Sequence, residues 1–142
     1  MSFLLNPNFD TNSAWTAINQ AGAVSWGTGA DPRAMSGTNV GAISTTLKSG
    51  SVGQDVTVNA PSVSCFAFVR PTSPQPMSGT LAIWNLDTNT NSSTVFTADD
   101  ENSWQLVVNT FSLGAAQPHN VRVEIYMGTI NATLLLDCVN LF

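Results

Sequence analysis

The sequence predicts an all-β protein, either a sandwich or a barrel, and two features of the chain carry this prediction. Apolar and polar residues alternate with a period of two along most of the chain, which is the pattern of half-buried strands. Gly, Pro, Asn and Ser interrupt the alternation at short intervals, as turns between short strands require. No segment has a convincing amphipathic helix pattern, so we expect strands throughout.

Strand-like segments follow one another with short gaps from one end of the chain to the other. They are Phe3–Asn6, Trp15–Ile18, Ala23–Gly27, Asn39–Thr46, Ser51–Val58, Val63–Arg70, Gly79–Leu86, Ser93–Thr97, Trp104–Leu113, Val121–Met127 and Thr133–Leu141. The loop Pro71–Ser78 contains three prolines. Because proline donates no hydrogen bond to a ladder, we expect this loop to be a surface crossover.

Length and charge narrow the classes of function. A chain of 142 residues is predicted to form one domain, residues 1–142. Only 9% of the residues are charged and the net charge is −5, so a phosphate backbone would be repelled and nucleic acid is excluded as a partner. No stretch is long and apolar enough for a bilayer span, and the first residues do not resemble a signal peptide. We expect no membrane partner and a location that is extracellular or on a virion surface, reached by another route.

Two strands show which of their side chains point into the core. Successive side chains of a strand point to opposite faces, and in each of these strands one alternate set is apolar. The predicted inward sets are Val63, Cys65, Ala67 and Val69 in one strand, and Val121, Val123, Ile125 and Met127 in the other. The outward sets are then Phe66, Phe68 and Arg70, and Arg122, Glu124 and Tyr126.

Both outward sets combine aromatic rings with charged groups. If the two strands share one sheet, these six residues and Trp84 form a ligand-binding platform on which rings stack against sugars and charged groups bind hydroxyls. The alternative is that the rings pack under a loop or against another subunit.

The two ends of the chain each carry an acid next to an apolar strand. Asp137 lies within the final apolar run, where an isolated charge would cost several kcal/mol. If the first and last strands pair, Asp10 and Asp137 can converge on one cation. The alternative is that each acid caps a turn or accepts a hydrogen bond from a backbone N–H group.

Motifs distributed over nearly the whole chain resemble the jelly-roll carbohydrate-binding modules of the xylan- and β-glucan-binding type, which have the galactose-binding-domain-like fold. They are Asn-Pro-Asn-Phe-Asp at 6–10 followed by Trp15, Ser-Gly-Thr-Asn-Val-Gly at 36–41, Gln-Asp-Val-Thr-Val at 54–58, Phe-Ala-Phe-Val-Arg-Pro at 66–71, Trp-Gln-Leu at 104–106 and Leu-Asp-Cys-Val-Asn-Leu at 136–141. The resemblance implies a two-sheet antiparallel jelly roll. It also implies that Trp15 and Trp104 are core residues, and it leaves Trp26 open.

The resemblance further implies a structural Ca²⁺ held by Asp10, the region 31–37 and Asp137. Two departures weaken this expectation. The first acid is Asp10 where the family has the longer Glu, and Cys138 replaces the second acid of the closing motif. The cysteines Cys65 and Cys138 lack metal-site spacing, and either two free thiols or one disulfide fits the sequence.

Catalysis is not expected. A glycosidase needs two carboxylates at one bond, and Glu124 is the one acid predicted on the platform. Asp99–Glu101 is typical of a solvated turn, and His119 lies in a predicted turn without a nucleophile motif. The sequence therefore predicts a non-catalytic glycan-binding domain that serves as an adhesive or decorating subunit, with a polysaccharide as partner. The alternative is a structural protein, such as a phage capsid decoration or tail accessory protein, that uses the same fold to form a homo-oligomer or a virion assembly.

Overall fold

A computed structural model describes residues 1–19 and 24–142, and these residues form ten β-strands and no helix. The strands are β1 Thr16–Ala17, β2 Ser25–Ala30, β3 Asn39–Ser44, β4 Ser51–Val58, β5 Ser62–Pro71, β6 Met77–Asn85, β7 Thr90–Ala98, β8 Gln105–Ser112, β9 His119–Met127 and β10 Thr133–Leu141. Within the described ranges there is accordingly no helix long and apolar enough to cross a membrane.

The strands form two five-stranded sheets that pack as a sandwich. Sheet A has the order β1-β4-β9-β6-β7 and sheet B the order β2-β3-β10-β5-β8. Every pairing is antiparallel. The predicted all-β, two-sheet antiparallel sandwich is therefore confirmed, and β9 and β10 are the middle strands of the two sheets.

The predicted strand bounds agree closely with the structure where turn residues mark them. Strands β4 and β10 have the predicted bounds. The proline-rich loop connects β5 in sheet B to β6 in sheet A, so the predicted crossover is confirmed, although Pro71 and Met77 already belong to strands. Ala23 lies outside the described residues, and the strand predicted from there is β2, which begins at Ser25.

The first residues are paired with the last strand without forming a regular strand themselves. The Phe3 amide donates to the Leu141 carbonyl over 2.8 Å, and the Val139 amide to the Pro7 carbonyl over 2.9 Å. Asn6 has a left-handed φ of 50° and Pro7 has no N–H group, so the predicted strand Phe3–Asn6 cannot continue as a ladder. The predicted pairing of the two ends is nevertheless present.

The predicted core faces of β5 and β9 are confirmed. All eight inward residues of the two strands are at most 2% exposed. They pack between the sheets with side chains from the other strands, among them Phe9, which contacts the rings of Trp15 and Trp26 at centroid distances of 5.4 and 5.6 Å. Trp15 is 4% exposed and is a core residue as predicted.

Several smaller expectations are settled by the same burial pattern. Cys65 and Cys138 are free thiols, because Cys65 lies in the core and Cys138 is half-buried on the outer side of β10. His119 begins β9 and is buried, so its placement in a turn was wrong. Asp100 does lie in a turn, where its carboxylate accepts from the Asn102 amide.

Candidate functional site

The expectation that β5 and β9 share one sheet was wrong. β9 is the middle strand of sheet A, whereas β5 lies in sheet B. Their outward sets therefore point to opposite sides of the sandwich. The structure brings Trp84, Arg122, Glu124 and Tyr126 together on the outer face of sheet A, and it places Phe66, Phe68 and Arg70 on the outer face of sheet B.

On sheet A, three rows of cross-strand neighbours run from β4 through β9 to β6. The rows are Asp55, Arg122 and Trp84; Gly53, Glu124 and Ala82; and Ser51, Tyr126 and Thr80. Cross-strand neighbours share a face of the sheet and lie side by side. Gly53 and Ala82, which flank Glu124, have smaller side chains than the residues that flank Arg122 and Tyr126. The middle row is therefore a depression between the other two rows.

The low middle row forms the floor of a cleft of about 380 Å³. A Cβ atom at Gly53 would lie 2.6 Å from the Val123 carbonyl oxygen, so only glycine allows β4 and β9 to approach this closely. Four predicted residues line the cleft, namely Trp84, Arg122, Glu124 and Tyr126, together with Ile18, Asn19, Leu86 and Asn89. Four of the seven residues predicted for the platform therefore line this cleft, and the other three lie on sheet B.

Hydrogen bonds fix the side chains that line this cleft. The Trp84 indole N–H donates to the Tyr126 hydroxyl over 3.1 Å. Glu124 accepts from the Ser51 hydroxyl over 2.5 Å. Burial, followed by the neighbouring Glu124 side chain, holds the pKa of Tyr126 well above its ordinary value. The Tyr126 hydroxyl therefore stays protonated at neutral pH.

Arg122 forms a two-point ion pair with Asp55 at one side of the cleft. The Nε–Oδ1 distance is 2.6 Å and the Nη2–Oδ2 distance 2.9 Å. The hydrogen bond to Asp55 raises the pKa of the Arg122 guanidinium, which stays charged. Asp55 is thus a second acid on the outer face of sheet A, and the expectation that Glu124 would be the one acid there was wrong. Beyond this pair a second hollow of about 330 Å³ continues over Thr57 and Asn120.

The outer face of sheet B is apolar where β5, β8 and the chain end meet. Phe66 and Phe68 are half-buried, and Phe66 packs edge-on against Phe142 at a centroid distance of 5.9 Å. Leu106 and Val108, on the neighbouring edge strand, are 49% and 40% exposed. We call Phe66, Phe68, Leu106, Val108 and Phe142 the apolar patch.

Arg70 holds a loop instead of joining the rings of this patch. Its Nε–H donates to the Glu101 carbonyl oxygen over 2.7 Å. Close by, the Trp104 indole N–H donates to the Arg33 carbonyl oxygen over 2.7 Å, and Trp104 is half-buried. The expectation that Trp104 is a core residue was therefore wrong. Trp26 is half-buried, packs against the core, and its indole nitrogen has no hydrogen-bond partner among the described residues.

The two acids predicted to hold calcium both lie beside the turn at residues 35–37, but their surroundings differ. Asp137 is fully buried, and its Oδ2 accepts from the amides of Met35 and Ser36 over 2.7 and 3.2 Å. Its Oδ1 accepts from the Cys138 amide over 2.7 Å. Asp10 is exposed, with Oδ1 beside Gly37 of the same turn.

Ca²⁺ takes six to eight oxygen ligands, whereas the groups directed at Asp137 are N–H donors. No group of three or more His, Cys, Asp or Glu side chains suited to a metal occurs within the described ranges. The donors around Asp137 thus match the alternative of an acid capped by backbone N–H groups. Calcium binding by Asp10 and Asp137 stays a prediction.

Sequence reasoning missed several residues that build the cleft. Ser51 and Asp55 could have been found, because alternation along β4 places them on the face opposite to the buried Val52 and Val58. Ile18, Leu86 and Asn89 lie at or beyond strand ends. No periodic pattern indicates where such residues point, so they could not have been found in this way.

Comparison with solved structures identifies the fold. The module TmCBM61, solved in complex with β-1,4-galactotriose, is 15% identical with a TM-score of 0.75, and the match covers 100% of this chain and 98% of that one. The CBM22-1 xylan-binding domain of Paenibacillus barcinonensis Xyn10C is 13% identical with a TM-score of 0.72, covering 94% and 89%. A family 16 carbohydrate-binding module is 16% identical with a TM-score of 0.66, covering 99% of each chain.

These comparisons confirm the predicted resemblance at the level of the fold: the chain has the β-sandwich of the jelly-roll carbohydrate-binding modules. No protein-family model matches the sequence, and no curated protein matches it.

Proposed function

We propose that this protein is a non-catalytic glycan-binding domain that takes a saccharide in the cleft on the outer face of sheet A. One observation carries the proposal: two aromatic side chains, Trp84 and Tyr126, line a cleft whose other walls combine amide and charged groups with two aliphatic side chains. Proteins that have the same fold were solved with β-1,4-galactotriose or named for xylan binding. The partner of this chain is accordingly a polysaccharide or an oligosaccharide.

The chemistry of the cleft suits a sugar because the sugar has two kinds of surface. The apolar face of a pyranose packs against an aromatic ring, as at Trp84 and Tyr126. Its hydroxyls need donors and acceptors, which the amides of Asn19 and Asn89 supply. The Asp55 pair leaves Nη1 of Arg122 as a further donor. A largely preformed cleft of this kind with few polar groups is the usual form of a small-ligand site.

The two acids near the cleft support binding without catalysis. A glycosidase uses one carboxyl group as a proton donor and a second as base or nucleophile. Glu124 is 3% exposed and accepts a hydrogen bond from the Ser51 hydroxyl. Asp55 is paired with Arg122. Neither acid is arranged as a proton donor.

Isothermal titration calorimetry with β-1,4-galactotriose, xylan and a β-glucan tests the proposal, preceded by a glycan array to widen the choice. We expect one of these ligands to bind, and Trp84→Ala to weaken binding about tenfold, or about 1.4 kcal/mol. Phe68→Ala is the matched control, since it removes a half-buried ring from the opposite face, and it should leave affinity unchanged. Absence of binding to every glycan, or equal loss in both variants, would overturn the proposal.

A second candidate function is assembly, and the apolar patch favours it. Leu106, Val108 and Phe142 are each at least 40% exposed and adjoin one another on sheet B. Monomeric proteins rarely expose large contiguous apolar surface. Under this candidate the domain is a structural subunit, for instance a phage capsid decoration or tail accessory protein, with the patch directed at a neighbouring subunit. Light scattering over a range of concentrations tests it, and a monomer at every concentration would count against self-assembly.

A further inference from the structure

A hydrogen bond crosses the middle row of the cleft and closes it on the side of β6. Trp84 belongs to one of the flanking rows and Tyr126 to the other. Their hydrogen bond of 3.1 Å therefore spans the middle row between Glu124 and Ala82. Ala82 is 2% exposed although it lies on the outer face, as expected for a residue beneath these two side chains. A ligand in the cleft cannot continue along this row toward β7.

Ile18 closes the opposite end of the middle row. It follows the short strand β1, and its amide donates to the Ser51 carbonyl oxygen over 3.0 Å. A Cβ atom at Gly53 would lie 3.2 Å from Cγ1 of Ile18, so the Ile18 side chain lies directly over Gly53. The next residue of the row is Thr16 on β1, which is exposed. Ile18 thus stands between the floor of the cleft and this edge of the sheet.

Asn19 forms a third side together with Tyr126. Its backbone N–H donates to the Ser51 hydroxyl oxygen over 3.0 Å, and its side-chain Nδ2 donates to the Ser49 carbonyl oxygen over 2.8 Å. Ser51 is the neighbour of Tyr126 in its row and is 0% exposed. The Asn19 side chain is therefore held against the protein at the end of the cleft where this row lies.

The fourth side of the cleft continues into the second hollow. Leu86 lines both the cleft and the hollow over Thr57 and Asn120. The Arg122–Asp55 pair lies between them, and its side chains are 27% and 51% exposed, so a ligand can lie across the pair. Among the residues that the structure describes, the cleft therefore has walls on three sides and an extension on one.

We propose that the cleft binds the end of a glycan chain and excludes segments within the chain. This inference rests on the proposed function of the cleft. The terminal sugar occupies the depression above Glu124, and the next sugar lies across the Arg122–Asp55 pair. A sugar within a chain is bonded to neighbours on two sides, whereas the walls leave room for a neighbour on one side. An internal sugar therefore meets a steric clash that a terminal sugar avoids.

The number of binding sites in a given mass of polysaccharide tests this inference. Isothermal titration calorimetry measures this number for an unbranched polymer that binds the wild type, chosen from β-1,4-galactan, xylan and a β-glucan, before and after partial hydrolysis. Halving the mean chain length doubles the chain ends at constant mass, so we expect the number of sites to double. An unchanged number would mean that internal sugars are bound and would overturn the inference.

Ile18→Ala is the variant that opens the closed edge. Removing most of the side chain above Gly53 lets a glycan continue over Thr16 into solvent, so internal sugars gain access. We expect several sites per intact polymer chain where the wild type has one. Ile130→Ala is the matched control, since Ile130 is 39% exposed in the loop between β9 and β10, and it should behave like the wild type.

Circular dichroism melts confirm that both variants are folded. A wild-type number of sites in folded Ile18→Ala would overturn the assignment of Ile18 as a closing wall. The failure of the inference and that of the proposed function are distinguishable. If a polymer binds and hydrolysis leaves the number of sites unchanged, end recognition fails while glycan binding stands. If no glycan binds the wild type, the proposed function fails, and end recognition fails with it.

Discussion

Each sheet of the sandwich carries one buried acid on its middle strand, and the two acids are held by different kinds of donors. Asp137 on β10 accepts from three backbone amides. Glu124 on β9 accepts from the side chain of Ser51. Backbone donors belong to the path of the chain, so Asp137 fixes a turn. Glu124, whose donor is a side chain, lies instead at the floor of a cleft.

The outer faces of the two sheets also differ, in the kind of side chains that they present. Sheet A presents ion-paired and hydrogen-bonded side chains around a cleft, whereas the β5–β8 side of sheet B presents the apolar patch. The proposed sugar ligand needs both rings and polar partners, and the cleft on sheet A brings the two together.

Asp137→Ala should have the largest effect, on stability alone. It removes the fully buried carboxylate that accepts from the N–H groups of Met35, Ser36 and Cys138, at a cost of about 3 kcal/mol or more. For a chain of this size the melting temperature should fall by roughly 10 °C. The melt is followed by circular dichroism in excess chelator, with the exposed Asp10→Ala as control, which should change little.

The same melting experiments distinguish two roles of Asp137, which are calcium binding and acceptance of hydrogen bonds from the three backbone amides. Calcium bound at Asp10 and Asp137 would raise the melting temperature of the wild type, by an amount set by the ratio of free calcium to its Kd. A loss in Asp137→Ala that appears in calcium and vanishes in chelator would assign the acid to the metal. A loss present in chelator, as we expect, assigns it to the three amides.

Arg122 and Arg70 give the next comparison, because Arg122 lies on the outer face of sheet A and Arg70 on that of sheet B. Arg122→Ala should weaken glycan binding about fivefold, or about 1 kcal/mol, and cost little stability, since exposed ion pairs contribute about 0–1 kcal/mol. Arg70→Ala should lower the free energy of unfolding by about 1.5 kcal/mol, because the Glu101 carbonyl loses a charged donor, and leave binding unchanged. Calorimetry and urea melts measure both. Weaker binding in Arg70→Ala would contradict the assignment of the cleft to sheet A.

Leu106→Ser should have the smallest effect on the isolated domain. Leu106 is 49% exposed, and substitutions at such sites usually change stability by less than about 0.5 kcal/mol. If the apolar patch joins subunits, this variant shifts an oligomer toward the monomer in light scattering, and Thr57→Ser on sheet A serves as control. A mass identical to that of the wild type in an oligomeric sample would place the interface elsewhere.

The strands and their inward faces could be predicted from the alternation of apolar and polar residues. Alternation is a local property, since each residue of a strand points away from the next, and it identified both apolar sets in β5 and β9. Proline and glycine determined the bounds of β4 and the crossover before β6. The pairing of the chain ends was also predicted, from the apolar run around Asp137.

Which outward sets meet depends on the order of the strands in the two sheets, and this order could not be predicted. In both sheets the neighbours of the middle strand are distant in sequence, as β9 lies between β4 and β6 and β10 between β3 and β5. Alternation shows on which face of its strand a side chain lies, but it does not show which sheet the strand joins. Phe68 and Tyr126 therefore looked equivalent in the sequence. The partners of Glu124 and Asp137 were hidden for the same physical reason: hydrogen bonds between residues about seventy or a hundred positions apart depend on strand order, which no local pattern encodes.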